Sequence, residues 1–349
     1  MTRRGLTRYD AFSARPIWSR SRSSGKLSYS DFVFLIRPSS EVAASVCPGG
    51  YQLPGTCTKG SGAMLDDDSE DRPSLMPPER PLTITAAILW FIAATVGAML
   101  LILVTHSVRP SSETDIVNAV ACQAVAYFAA ILLAVRVHAG NRTLPDVFAL
   151  RKTHPAFHLL GALLGVCLQV PAELLQRLMF HFQPMAPEVL QLQTEMMRMD
   201  STVARIMIPL AVVGLGPLVE ELFFRGVLFG GMRRGNGAAI SAFIVSVLFA
   251  GAHGSSQLFI PLLIVGGVIT FLRAASGSLW PCLIAHMTFN AIPVLGMASG
   301  WLRLEVDPEP FPLILSVGGV SASVLIIAAL VALSRRSEAA HRARQEDSS

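Results

Sequence analysis

The sequence predicts an all-α, polytopic membrane protein of about eight transmembrane helices, and three observations support this fold class. Charged residues make up 15% of the 349 residues, against about 25% in a typical soluble domain. The mean hydropathy is +0.52, and the apolar residues form long runs instead of alternating with polar ones. About 20 apolar residues in a helix cross the ~30 Å hydrocarbon layer. Because lipid offers no partner to a free backbone group, each run must be helical.

The apolar runs place the predicted spans at residues 82–106, 116–135, 156–180, 206–229, 238–253, 258–275, 279–296 and 311–333. The third run contains Pro171, Glu173 and Gln176, which predict a kinked or partly inserted helix. With eight spans, and counting from Arg72 onward with Arg273 at the end of the sixth span included, 13 basic residues fall on the side of the two termini and 4 on the other. This bias supports the even number of spans and predicts that both termini are cytoplasmic.

The chain divides into three predicted regions. Residues 1–80 are rich in Arg, Ser, Pro and Gly and contain no long apolar run, so they are not a secretory signal peptide. Three interpretations stay open: a disordered extension, an organellar transit peptide, or sequence upstream of a start at Met64 or Met76. Residues 81–334 form the predicted membrane domain, with its core motifs at 205–295, and residues 335–349 form a polar cytoplasmic tail.

Charge and cysteine content narrow the possible partners. The net charge is +4, and the basic residues form no stripe, so we expect no nucleic-acid partner. Membrane lipid is the expected surrounding. None of the five cysteines forms a CxxC pair, and three lie inside apolar runs: Cys122, Cys167 and Cys282. We interpret these as small buried side chains.

The fourth span contains an unusual group of charges. An ionisable residue at the centre of a membrane helix costs about 2.5–3.5 kcal/mol on insertion scales and indicates function by default. Glu221 and Arg225 are four residues apart, so they can pair on one helix face. Glu220 has Phe224 at the matching position and is left as the unpaired carboxylate, which suits a general base or acid. The alternative is a salt-bridge cluster at the membrane surface.

Two further polar groups lie in the following spans. His253 ends the fifth span beside the small residues Ala250, Gly251 and Ala252, and His286 and Asn290 are four residues apart in the seventh. Alone, His253 is more often structural, and the His286–Asn290 pair can equally hydrogen-bond between helices. Together with Glu220 they can activate a water and stabilise the oxyanion formed when that water attacks an amide.

Other protease chemistries fit the sequence less well. There is no HExxH zinc motif, no aspartate lies within a predicted span, and no serine lies in a GxSxG turn. A transporter with a Glu/His proton relay would predict internal repeats, and none is clear.

The motifs Glu220-Glu221-x-x-x-Arg225, Phe249-x-x-x-His253 and His286-x-x-x-Asn290 resemble those of the CPBP (ABI) family, which includes the type II CAAX prenyl endopeptidases. The resemblance covers residues 205–295. It implies an eight-helix bundle with a membrane-embedded cavity. Glu220 and His253 would activate water, and His286 and Asn290 would form the oxyanion hole. Glu221, Arg225 and Phe249 would support the site.

The implied function is hydrolysis of a peptide bond near the C-terminus of a membrane-associated or lipidated protein or peptide, in the inner membrane of a bacterium. We favour a reaction that requires no cofactor. The alternative is zinc held by Glu220, His253 and His286. A second alternative is a non-catalytic immunity or partner-binding protein of the same fold.

Overall fold

The computed structural model describes residues 81–302 and 312–346, and the prediction for residues 1–80 lies outside these ranges. The described residues contain helices and no strand. In chain order we number the helices α1 Ile84–Val108, α2 Ile116–His138, α3 Leu144–Phe148, α4 Pro155–Cys167, α5 Gln169–Phe182, α6 Pro187–Met196, α7 Thr202–Asn236, α8 Ala238–Ala252, α9 Ser256–Ser276, α10 Trp280–Ala298 and α11 Leu313–Glu346.

The predicted fold class is confirmed. Within the described ranges, seven helical segments are long and apolar enough to cross a membrane: α1, α2, α4 with α5, α7, α9, α10 and α11. The fifth predicted span is the shorter apolar helix α8. Large apolar side chains remain exposed on these helices, among them Leu89, Met99, Phe243 and Leu325. Such an apolar surface suits contact with lipid tails.

Local sequence fixes where several helices begin and turn. The side chains of Thr83, Asp115, Ser201 and Ser255 each accept a hydrogen bond from a backbone N–H in the first turn of the helix that follows. These caps satisfy donors that the helix itself leaves unpaired. The tight turn between α9 and α10 contains Gly277 at φ 67°, a left-handed conformation in which a side chain would be strained.

The third predicted span is interrupted at Leu168, close to Pro171, which predicted a kinked or partly inserted helix. Helix α4 ends at Cys167, and α5 begins at Gln169. Proline has no N–H to donate to the carbonyl four residues earlier, and its ring clashes there; for Pro171 that residue is Cys167. The Gln169 side chain spans the break by donating from Nε2 to the Phe289 carbonyl of α10 at 2.7 Å.

Helix α7 is continuous from Thr202 to Asn236 but widens into π-helix at Leu210–Leu215 and Glu221–Phe229. The first widening directly precedes Pro217, which cannot make the regular backbone bond to Val213. Single π-helical turns often occur at functional sites because they expose carbonyls and redirect side chains. The glutamates of the first motif lie at the junction between the short α-helical turn Gly216–Glu220 and the second widening.

Close packing joins α4 to α10 at the small residues Gly161 and Gly165. A Cβ atom on Gly161 would lie 2.8 Å from the Pro281 carbonyl oxygen, and one on Gly165 would lie 2.9 Å from the Thr288 Cβ. Both separations are shorter than atoms tolerate. Small residues therefore allow two backbones to approach within the membrane, and this contact positions α10 with His286.

Candidate active site

The candidate site is assembled from three neighbouring helices. Helix α7 provides Glu220, Glu221 and Arg225. Helix α8 provides Phe249 and leads into His253, while α10 provides His286 and Asn290. Helices α2 and α9 add polar partners that the motifs do not include.

The Arg225 guanidinium is fully buried and has a partner on each side. It donates to Glu221 Oε1 at 2.7 Å, to Thr270 Oγ1 at 3.2 Å and to the Gly266 carbonyl at 3.0 Å. Its Cζ lies 4.4 Å from the centre of the Phe249 ring, within cation–π range. A buried charge is tolerated when it is paired and hydrogen-bonded. Arg225 therefore joins α7 to α9 and positions Phe249.

His286 lies between the two glutamates. Its Nδ1 is 2.9 Å from Glu221 Oε1, and its Nε2 is 3.8 Å from Glu220 Oε2. Because a Glu221 carboxylate paired with Arg225 can only accept, Nδ1 carries the proton in this bond. The 3.8 Å separation is too long for a direct hydrogen bond. The Nε2 edge of His286 therefore stays available on the side of Glu220.

Glu220 is 9% exposed and has a partner that sequence reasoning missed. Gln123 Nε2, on α2, donates to Glu220 Oε1 at 2.9 Å. An amide donor stabilises the carboxylate and fixes its orientation. The sequence signal for this partner was the amide side chain of Gln123 in the interior of the second apolar run.

His253 and His286 both contact the Phe249 ring. Phe249 makes edge contacts with both imidazoles, with ring centres 5.0 Å from His253 and 5.7 Å from His286. His253 Nδ1 is 2.9 Å from the Phe249 carbonyl oxygen. Because a carbonyl only accepts, Nδ1 is the donor and Nε2 keeps a lone pair. Within the described ranges, no hydrogen bond or ion pair joins His253 directly to Glu220.

Asn290 follows His286 by one turn of α10. Its Nδ2 donates to the Val212 carbonyl at 3.0 Å, in the first widened segment of α7. This bond uses one of the two amide protons and leaves the other free. Among the residues that the structure describes, Asn290 has no direct hydrogen bond to Glu220 or His253.

The alternative zinc set does not fit this arrangement. In the described part of the chain, no group of three His, Cys, Asp or Glu side chains could hold a metal ion. Glu220 and His286 approach each other at 3.8 Å, whereas no hydrogen bond or ion pair joins His253 to either residue in the described ranges. Catalytic zinc sites use three protein ligands within about 2.3 Å of the metal. We therefore derive no catalytic step through zinc.

A cavity of about 450 Å³ lies at the end of α8. Its wall includes Ala250, Gly251 and Gly254, with Met179, Phe259 and Ile260 from α5 and α9, and none of the four sequence-predicted catalytic side chains lines it. The lining is mainly apolar. Small-molecule pockets have similar size and character.

The sequence could not reveal two of the groups that hold Arg225. Thr270 is an ordinary residue in an apolar helix, and the Gly266 carbonyl carries no side-chain signal at all. Both become partners only because α9 packs against the widened part of α7.

The fold and site define an integral, polytopic α-helical membrane protein whose bundle encloses a cluster of carboxylate, imidazole and amide groups. Residues 202–292 match the family model described as type II CAAX prenyl endopeptidase Rce1-like. This segment contains all three motifs, and the resemblance predicted from them is confirmed.

The chain is also similar to YdiL of Bacillus subtilis (strain 168), a protein named as a membrane peptidase by prediction. The two chains are 26% identical over 106 residues, which cover 30% of this chain and 43% of the relative. This match therefore spans less than half of the relative's length. No solved structure gives a significant match.

The Glu221–Arg225 pair is buried and the Glu338–Arg342 pair is exposed, although both have i,i+4 spacing. We therefore expect substitution of the two glutamates to lower the free energy of unfolding by different amounts. Glu221→Gln leaves the fully buried Arg225 without its counter-charge, and we expect a loss of about 3 kcal/mol or more. Glu338→Gln is the matched control because Glu338 and Arg342 form an exposed pair at 4.0 Å, worth at most about 1 kcal/mol. Thermal unfolding in one detergent would measure both. Equal melting temperatures for the two variants would contradict the structural role of Glu221.

Proposed function

We propose that this protein is an intramembrane endopeptidase that cleaves a peptide bond near the C-terminus of a membrane-associated or lipidated protein or peptide. The observation that carries the proposal is His286 held between Glu220 and Glu221 inside an Rce1-like segment. Polar groups at this depth are costly. A cluster of them around one free imidazole edge is suited to chemistry on a polar substrate group.

In the proposed reaction, Glu220 accepts a proton from a water molecule as the water oxygen attacks the peptide carbonyl carbon. Gln123 holds one oxygen of Glu220, which leaves the other, Oε2, directed toward His286 Nε2. His253 assists through Nε2, because its Nδ1 is engaged by a backbone carbonyl. The proton is then delivered to the leaving amine as the C–N bond breaks. No covalent intermediate with the enzyme is needed.

The oxyanion formed during this attack would receive hydrogen bonds from His286 and Asn290. With Nδ1 bonded to Glu221, His286 presents its Nε2 edge to the oxyanion, and this role requires a proton on Nε2. Asn290 has one amide proton left after its bond to Val212. Donors placed for the developing negative charge typically contribute about 10²–10³-fold in rate.

We assign an apolar segment of the substrate to the cavity at the end of α8. Its lining from Met179, Phe259 and Ile260 would accommodate an apolar side chain or lipid chain. A substrate held in the membrane would reach such a site without crossing water. We place the enzyme in a bacterial inner membrane with both termini in the cytoplasm, as the distribution of basic residues predicts.

We expect Glu220→Gln to lower peptide cleavage by about 10²–10⁴-fold, because the variant removes the proposed general base. Cleavage of a C-terminally labelled membrane peptide in detergent would measure this loss. Glu195→Gln, at an exposed position on α6, is the matched control and should retain full activity. Unchanged cleavage by the Glu220 variant would refute the assignment. Wild-type protein that cleaves no peptide of a C-terminal library would favour the non-catalytic alternative.

Gln123 should affect turnover more than binding. Gln123→Met keeps the length of the side chain but removes the donor to Glu220, and we expect kcat to fall about tenfold with KM and Tm unchanged. Gln191→Met, on the exposed surface of α6, is the control. A parallel fall of kcat and Tm would show that Gln123 serves the fold and does not position the carboxylate.

Preincubation with a strong chelator distinguishes the two proposed chemistries. We expect full cleavage activity after chelator removal, because the metal-free mechanism uses only side chains and water. Loss of activity that added zinc restores would instead establish the zinc alternative with Glu220, His253 and His286.

A further inference from the structure

A second buried arginine lies outside the proposed reaction. Arg273 is 2% exposed, and its Nε and Nη1 are enclosed without a hydrogen-bond partner. Arg225, equally buried, has donors bonded on both sides of its guanidinium. Arginine is rarely buried unless it is paired, and an enclosed charge without a partner is costly. Arg273 therefore indicates a place for an anion that the described residues do not supply.

Arg273 occupies a rigid part of the molecule. It lies in the last turn of α9, and the turn that follows is joined to residues 149–153 by hydrogen bonds. Thr153 Oγ1 donates to the Ser276 carbonyl at 3.1 Å, and Ser278 Oγ donates to the Arg151 carbonyl at 2.7 Å. These bonds hold the backbone of Arg151 beside the end of α9.

Charges of both signs act on Arg273. The Cys282 thiol and Glu221 attract its charge, and the exposed Arg233 and Arg151 repel it. Glu221 is already engaged by Arg225 and His286, and Arg151 forms an exposed ion pair with Asp146 at 3.4 Å. Two exposed cations that act on one enclosed cation favour the approach of an anion.

We propose that Arg273, with Arg151 and Arg233, binds a phosphate group at this face of the membrane. Guanidinium groups match phosphate oxygens with paired hydrogen bonds. Trp280, 45% exposed at the start of α10, marks the headgroup level, where tryptophan is enriched. Basic pockets between membrane helices on the cytoplasmic side bind anionic headgroups, and the basic residues here lie on the face predicted to be cytoplasmic. The phosphate of an anionic phospholipid is the ligand within reach.

Native mass spectrometry of the full chain tests this site. The protein, delipidated in a neutral detergent, is titrated separately with phosphatidylglycerol, phosphatidylcholine and inorganic phosphate. We expect saturable phosphatidylglycerol binding that weakens about tenfold or more in Arg273→Gln. Arg335→Gln, an exposed position on α11, removes the same charge and should bind as the wild type does. Equal affinity in wild type and Arg273→Gln, or no saturable binding by the wild type, would overturn the proposal.

The three ligands separate the possible sources of the phosphate. Binding of inorganic phosphate at comparable strength, lost in Arg273→Gln, would assign the site to the free ion. Phosphatidylcholine binding as tight as phosphatidylglycerol would show that net negative charge is not recognised and would contradict the site. If Arg273→Gln fails to fold, the double variant Arg151→Gln, Arg233→Gln keeps the buried guanidinium and must still weaken phosphatidylglycerol binding. Unchanged affinity in that variant would also overturn the proposal.

Discussion

The ion pair between Arg225 and Glu221 is the interaction on which the rest of the site depends. Both side chains are fully buried, so neither charge can be satisfied by water. The guanidinium takes its remaining partners from α9, and Phe249 of α8 lies against its face. The carboxylate takes Nδ1 of His286 from α10. One pair thus fixes four helices relative to one another. This matters within the membrane, where an apolar side chain gains little by packing against a helix instead of against lipid tails.

This pair also separates the roles of two adjacent glutamates. Glu221 is bonded to both Arg225 and His286. Glu220, the preceding residue, accepts one hydrogen bond from the Gln123 side-chain amide, and its Oε2 lies 3.8 Å from His286 Nε2. Their environments differ because neighbouring residues on a helix point about 100° apart. The first carboxylate therefore remains available for chemistry while the second serves the structure. The same bonds select the tautomers, since Glu221 and the Phe249 carbonyl each require a proton on the imidazole nitrogen they contact.

Sequence patterns predicted the features that depend on residues close together in the chain, namely the apolar helices and the i,i+4 ion pair. Hydropathy located all eight apolar helices, but α7 and α11 continue past the predicted ends at 229 and 333, to Asn236 and Glu346. Pro171 predicted a kink close to the point where α4 meets α5. The i,i+4 rule predicted the Glu221–Arg225 contact, which persists although this stretch of α7 is π-helical. Gln123, Thr270 and the Gly266 carbonyl were missed because each acquires its role only when distant helices pack together. The widening of α7 was also missed, since no local residue pattern specifies it beyond the presence of Pro217.

Helix α9 shows why the missed residues matter as much as the motifs. It carries none of the three motifs, yet Gly266 and Thr270 bind Arg225, and Arg273 lies three residues further along. Residues three apart lie on neighbouring parts of one helix face, so the buried pair and the unpaired guanidinium are held by the same rigid segment. Their situations are opposite: Arg225 is paired with Glu221, whereas no described residue accepts a hydrogen bond from Nε or Nη1 of Arg273. An anionic headgroup is the partner we propose for Arg273, because the one glutamate that acts on it electrostatically, Glu221, is already bonded to Arg225 and His286.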